Sequence, residues 1–157
     1  MIRYWIGVAS REHVKRGETG GFCQLCHGKS SPLKRMSPGD WIIYYSPNEM
    51  FGKRSPCKRF TAIGQITGET VYPFQMSEDF VPFRRDVSFK PCKEIPIQPL
   101  INQFEFIRNK RNWGYVFRFG HFEINQTDFD LLIRNMLIEE PPAESPKFVY
   151  SATQSLS

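Results

Sequence analysis

Long apolar runs are missing from this chain of 157 residues. None approaches the roughly 18 consecutive apolar residues of a membrane span. The opening Met1-Ile2-Arg3-Tyr4-Trp5-Ile6 reads as a strand and lacks the apolar region and small-residue cleavage site of a signal peptide. The expectation is a cytoplasmic protein without membrane contact, whose four cysteines stay reduced. Histidine is scarce, with three in all, which leaves little choice of catalytic base. No paired catalytic carboxylate stands out. Gly17-Glu18-Thr19-Gly20-Gly21 lacks the lysine and hydroxyl residue of a phosphate-binding loop. No internal repeat is visible, and nothing in the sequence fixes an oligomeric state.

Aromatic side chains are abundant, at 15% with 14 Phe, within 40% hydrophobic residues overall. That is enough for one domain with an aromatic core. Cations exceed anions by 21 to 16. Residues 139–157 hold three glutamates and one lysine, so the body alone carries 20 cations against 13 anions. A basic body leans toward a polyanionic partner.

The pattern centres on Pro38-Gly39-Asp40-Trp41-Ile42-Ile43-Tyr44-Tyr45-Ser46-Pro47. A turn feeds an uncharged aromatic strand, which Ser46-Pro47 is expected to stop. Before it, residues 3–9 read as a strand. Ser10 is placed to cap a short helix ending at Gly17, and Ser31 a second one with Pro32 at its first position. Residues 48–58 read as an exposed hairpin loop and 60–67 as an alternating strand. Another strand lies within 83–89, followed by a proline-punctuated crossover. Trp113–Phe119 alternates like a strand with its aromatic residues on one face. Asn125 caps the strongest helix, with Asp128 at N3 and Phe129, Leu132, Ile133, Met136 and Leu137 on one face, ended by Pro141-Pro142. About six short strands with few and short helices predict an α+β fold, a closed or nearly closed β-barrel decorated by short helices and a C-terminal helix. The domain is expected to span 1–138, with a flexible tail over 139–157.

The ordered set Tyr4-Trp5-Ile6, Arg35-Met36, Pro38-Gly39-Asp40, Ala62-Ile63-Gly64-Gln65-Ile66, Tyr72-Pro73 and Pro96-Ile97-Gln98-Pro99-Leu100 resembles the EVE-domain proteins of the PUA-like superfamily. The resemblance runs from about Arg3 to Leu137. It implies a PUA-like mixed β-barrel with a pocket at one end, in a family related to YTH and ASCH domains. It also implies a non-catalytic module that reads a modified base in DNA or RNA. YTH domains and several EVE relatives place a tryptophan in the loop after the first helix. Here Gly20-Gly21-Phe22-Cys23-Gln24 has none, so Phe22 is the candidate to stack in its place.

In the pocket expected from these segments, Phe22 and Tyr45 stack on a base, and Ser10, Gln24 and Ser46 bond its edge. Cys23 lies beside them, and Phe119-Gly120 closes the opposite wall. His27, Lys29, Lys53, Arg54, Arg84, Arg85, Lys110 and Arg111 are the candidate phosphate contacts.

Two alternatives use the same residues. Cys23-Gln24-Leu25-Cys26-His27 fits a haem-attachment spacing, or part of a zinc site with Cys57, but no second ligand pair follows at comparable spacing. A thiol or zinc enzyme acting on a nucleotide is the first alternative, and a sensor of free modified nucleosides the second. The expectation retained is no enzyme, no metal and no cofactor, with nucleic acid as the partner.

Overall fold

The computed structural model describes residues 1–138; the expected tail and Pro141-Pro142 lie outside them. Among these residues are eight strands: β1 (Tyr4–Val8), β2 (Phe22–Cys23), β3 (Trp41–Asn48), β4 (Pro56–Ile66), β5 (Tyr72–Pro73), β6 (Phe83–Phe89), β7 (Ile95–Pro96) and β8 (His121–Ile124). Six form one path in the order β2-β6-β4-β3-β1-β8, curled into half a barrel, with β5 on β6 and β7 on β4. The β1–β3 pair is parallel, from Tyr4 opposite Trp41 to Val8 opposite Tyr45. The other pairs are antiparallel. Three α-helices decorate the sheet: α1 (Arg11–Gly20), α2 (Ser30–Lys34) and α3 (Gln126–Met136).

The centre of the sheet is buried on both faces, which is why β3 reads as an unbroken apolar run. Ile43 and Tyr45 point into one core with Ile6, Phe60, Phe104, Phe117 and the α3 residues Leu132 and Met136. Ile42 and Tyr44 point into the other, with Trp5, Val14, Cys23, Leu25 and Leu33. Asp40 ties the preceding turn to β1. Its buried carboxylate accepts from the Arg3 and Ser37 backbone N–H groups and from Trp5 Nε1, at 2.9 to 3.0 Å.

Several boundaries differ from expectation. Gly17 does not end α1; it sits inside the helix, where a Cβ would fall 2.7 Å from the Phe22 carbonyl oxygen, and Gly21 makes the left-handed cap instead. Helix α2 begins at Ser30 rather than after a Ser31 cap. Pro47 does not stop β3, because the pairing with β4 is irregular between Ser46 and Asn48 and asks no N–H of it. Trp113–Phe119 is a 3-10 segment, not a strand. Its aromatic side chains answer to tertiary contacts, led by Phe117 stacked on Tyr45 at 4.0 Å. Asn125 caps α3 as expected, accepting from the Asp128 N–H at 2.9 Å. That helix stops at Met136, where Leu137 turns extended and bridges to Cys92.

Candidate nucleic-acid interface

The first strand, the first helix and four loops enclose a cavity of about 890 Å³. Val8, Ala9 and Ser10 leave β1 along one wall, followed by His13 and Arg16 of α1. Gln24 and the turn Cys26 to Lys29 form the next wall. Pro47 and Asn48 come from the end of β3, Phe51 and Gly52 from the β3–β4 connection, and Met76 and Phe80 from the loop before β6. Phe117, Arg118, Phe119 and Gly120 close the far side.

Two glycines make this shape possible. Gly28 has φ of 82°, and a Cβ there would fall 2.4 Å from Pro82 Cβ. Gly120 has φ of 76° and faces Cys26 Sγ, 3.0 Å from where its Cβ would be. Cys26 and His27 also hold positive φ, 50° and 60°, a strained backbone at the cavity wall.

Gln24 is the most constrained polar residue of the wall. Its backbone N–H donates to the Tyr44 hydroxyl, which donates in turn to the Gln24 carbonyl, both at 3.3 Å. His13 Nε2 bonds the same carbonyl at 3.0 Å, and burial holds the His13 pKa below its ordinary value. Gln24 Oε1 accepts from Arg84 Nε at 3.1 Å. Ser10 Oγ caps α1 by accepting from the His13 N–H.

The aromatic walls are exposed. Phe51 is 77% exposed, Phe119 62% and Phe80 40%. His27 meets Phe51 edge-on at 5.7 Å. Arg16, His27, Lys29 and Arg118 are exposed around the same opening.

The predicted site residues divide. Ser10, Gln24, His27, Lys29, Phe119 and Gly120 line the cavity together. Tyr45 does not: it is a core residue, 2% exposed, stacked on Phe117 and edge-on to Phe60. Ser46 is fully buried, bonded to the Thr61 hydroxyl at 2.8 Å. Cys23 is fully buried in the other core. Phe22 stacks on the Arg84 guanidinium at 3.8 Å rather than facing the cavity.

Arg84 is buried, and Arg85 is spent on the Gly68, Leu33 and Met36 carbonyls, so neither is a free phosphate contact. Lys110 Nζ bonds the Phe104 carbonyl, and Arg111 is exposed; neither lines the cavity. Lys53 and Arg54 are exposed beside Gly52 on the hairpin loop. Sequence reasoning missed Phe51, Phe80, His13, Arg16 and Arg118. Phe51 is the one aromatic residue in a polar, basic loop, and that isolation was the available signal.

Burial pushes every thiol up, Cys23 to about 12, Cys57 to about 11, and Cys26 and Cys92 in the same direction. None is an activated nucleophile.

Residues 3–135 match the EVE domain. The chain belongs to the EVE-domain family. A UPF0310 protein from the gntR 5′ region of Bacillus licheniformis is 52% identical over 82% of this chain and 87% of its own. The UPF0310 protein msl3206 of Mesorhizobium japonicum is 46% identical over 92% of this chain and 99% of its own. A hypothetical protein of Leishmania major has a similar fold, with a TM-score of 0.56 at 11% identity over 85% of this chain and 94% of its own. The mixed sheet with its short helices and C-terminal helix agrees with the α+β architecture expected from the sequence, though curled into half a barrel, and no helix among the described residues is long and apolar enough to cross a membrane.

Proposed function

We propose that this EVE domain is a non-catalytic, cytoplasmic nucleic-acid-binding module that takes one unpaired or flipped base, in DNA or RNA, into the cavity, with modified bases as its preferred targets. The observation that carries this reading is the cavity itself: about 890 Å³, walled by exposed Phe51, Phe80 and Phe119, edged by Arg16, Lys29 and Arg118. That volume lies within the roughly 300–1,000 Å³ usual for small-molecule sites. Aromatic faces stack on any base, and the stack contributes about 1–3 kcal/mol. The edge cations neutralise flanking phosphates, while the Gln24 amide and the Ser10 hydroxyl meet the base edge. The family resemblance supports the same substrate class.

The test is fluorescence anisotropy with single-stranded DNA and RNA, each carrying one natural or modified base at the centre. Three phosphate contacts predict that log K falls with log salt at a slope of about −2. Phe119→Ala is expected to fold normally and Gln24→Ala to fold with lower stability, because Arg84 loses its directed contact; each is expected to bind the preferred oligonucleotide about tenfold or more weakly at the same salt. Binding that ignores salt and both substitutions contradicts the proposal. Binding of free modified nucleosides but no oligonucleotide favours the sensor instead.

A further inference from the structure

Arg84 is a costly residue in an unexpected place. It is 8% exposed, and among the described residues no carboxylate lies within ion-pair distance of it. Its guanidinium sits between the rings of Phe22 and Phe74, 3.8 Å from each centroid. Burying an unpaired cation is unfavourable unless directed contacts compensate it. The directed contact here is Nε–H to Gln24 Oε1.

That contact removes an ambiguity. A glutamine side chain can present either its oxygen or its NH2 to a ligand, and the two look alike in shape. Arginine has donors only, so the atom facing Arg84 must be the oxygen. The Gln24 backbone is held as well, by His13 and by the Tyr44 hydroxyl. The amide Nε2 is the one polar group of Gln24 with no partner among the described residues, and Gln24 lines the cavity.

Resting on the base-reading function above, we propose that Arg84 is a positioning residue. Clamped by Phe22 and Phe74, it locks the Gln24 amide so that the cavity offers its ligand a donor, and the site therefore selects a base edge that accepts, a ring nitrogen or a carbonyl oxygen. An amino group at that position meets a second donor and leaves both unpaired, and each unpaired buried group is costly.

The experiment measures binding of the full chain to single-stranded oligonucleotides at one salt concentration. The central base that binds best is compared with analogues lacking one acceptor at a time, a ring nitrogen replaced by C–H or a carbonyl removed. In the wild type, deletion of one particular acceptor is expected to weaken binding about tenfold. Gln24→Glu keeps the Arg84 contact as an ion pair and stays folded, yet has no donor. It is expected to bind the parent base at least about tenfold more weakly and to be indifferent to that deletion. Arg84→Met frees the amide to turn and is expected to lose most of the discrimination while retaining phosphate-dependent, salt-sensitive binding. Gln24→Glu binding the parent base as tightly as wild type overturns the inference, as does a folded Arg84→Met with full discrimination. Oligonucleotide binding with no sensitive acceptor also overturns it and leaves the base-reading function standing. No binding to any oligonucleotide overturns both.

Discussion

His121 shows how one residue records its surroundings. It is 4% exposed, lies nearly parallel to Trp5 with centroids 4.8 Å apart, and neither ring nitrogen has a partner among the described residues. Burial, with Arg35 adding a smaller push, lowers its pKa to about 4. An unfolded histidine takes its proton near 6.5. As pH falls below that, the unfolded state binds the proton first, so stability declines from about pH 6.5 and levels off below about pH 4. His121→Phe keeps the stack and removes two orphaned polar atoms. It is expected to stabilise the protein by about 1–3 kcal/mol at pH 5 and to flatten this part of the profile, read from urea midpoints across pH. A wild-type midpoint that is flat between pH 7 and 4 contradicts this. Sequence alone shows His121 only as one of three histidines, because its stacking partner is 116 residues away in β1, a pairing no local pattern encodes. Tyr45 and Ser46 were misplaced for a related reason. Where a strand is buried on both faces, it has no polar side from which to read direction.

At the scale of elements, the Asp40 turn and β3 organise the chain. Three donors from three separate positions converge on one buried carboxylate. Asp40→Ala strands the Trp5 indole N–H and two backbone N–H groups. The expected loss is about 3 kcal/mol or more, with an unchanged denaturant m-value, measured by guanidinium unfolding. A loss under 1 kcal/mol contradicts the role. This element was legible because turn chemistry and an uncharged aromatic run are local signals. So was α3, whose cap and 3.6-residue period are written in adjacent positions. Trp113–Phe119 was not legible as 3-10 structure. Its two-residue alternation mimics a strand, and the stack of Phe117 on Tyr45 that helps fix it is a long-range contact. The cavity was half legible. Ser10, Gln24, His27, Lys29, Phe119 and Gly120 meet as expected, since a strand end and glycine turns mark where loops gather. Phe51 and Phe80 lie on loops whose path depends on tertiary packing, so composition could not assign them.

For the molecule as a whole, α1 is fastened to the β7 side by charge. Arg11 and Lys15 both reach Glu94, which Arg11 above all holds at about 2, so that ion pair persists at any pH where the domain is folded and the carboxylate ionised. This leaves Arg16, on the same helix, paired with Glu12 at 3.4 Å on an exposed surface, a weak bond that a phosphate can displace. The half-barrel and the strapped helix together frame the cavity. Two-dimensional NMR of the labelled chain, titrated with its preferred single-stranded oligonucleotide, tests that picture most directly. Shift changes are expected to cluster on Val8 to Ser10, Gln24 to Lys29, Phe51, Phe80 and Arg118 to Gly120. Changes centred on Lys110 and Arg111, with the cavity residues unmoved, would contradict the claim that the cavity takes the base.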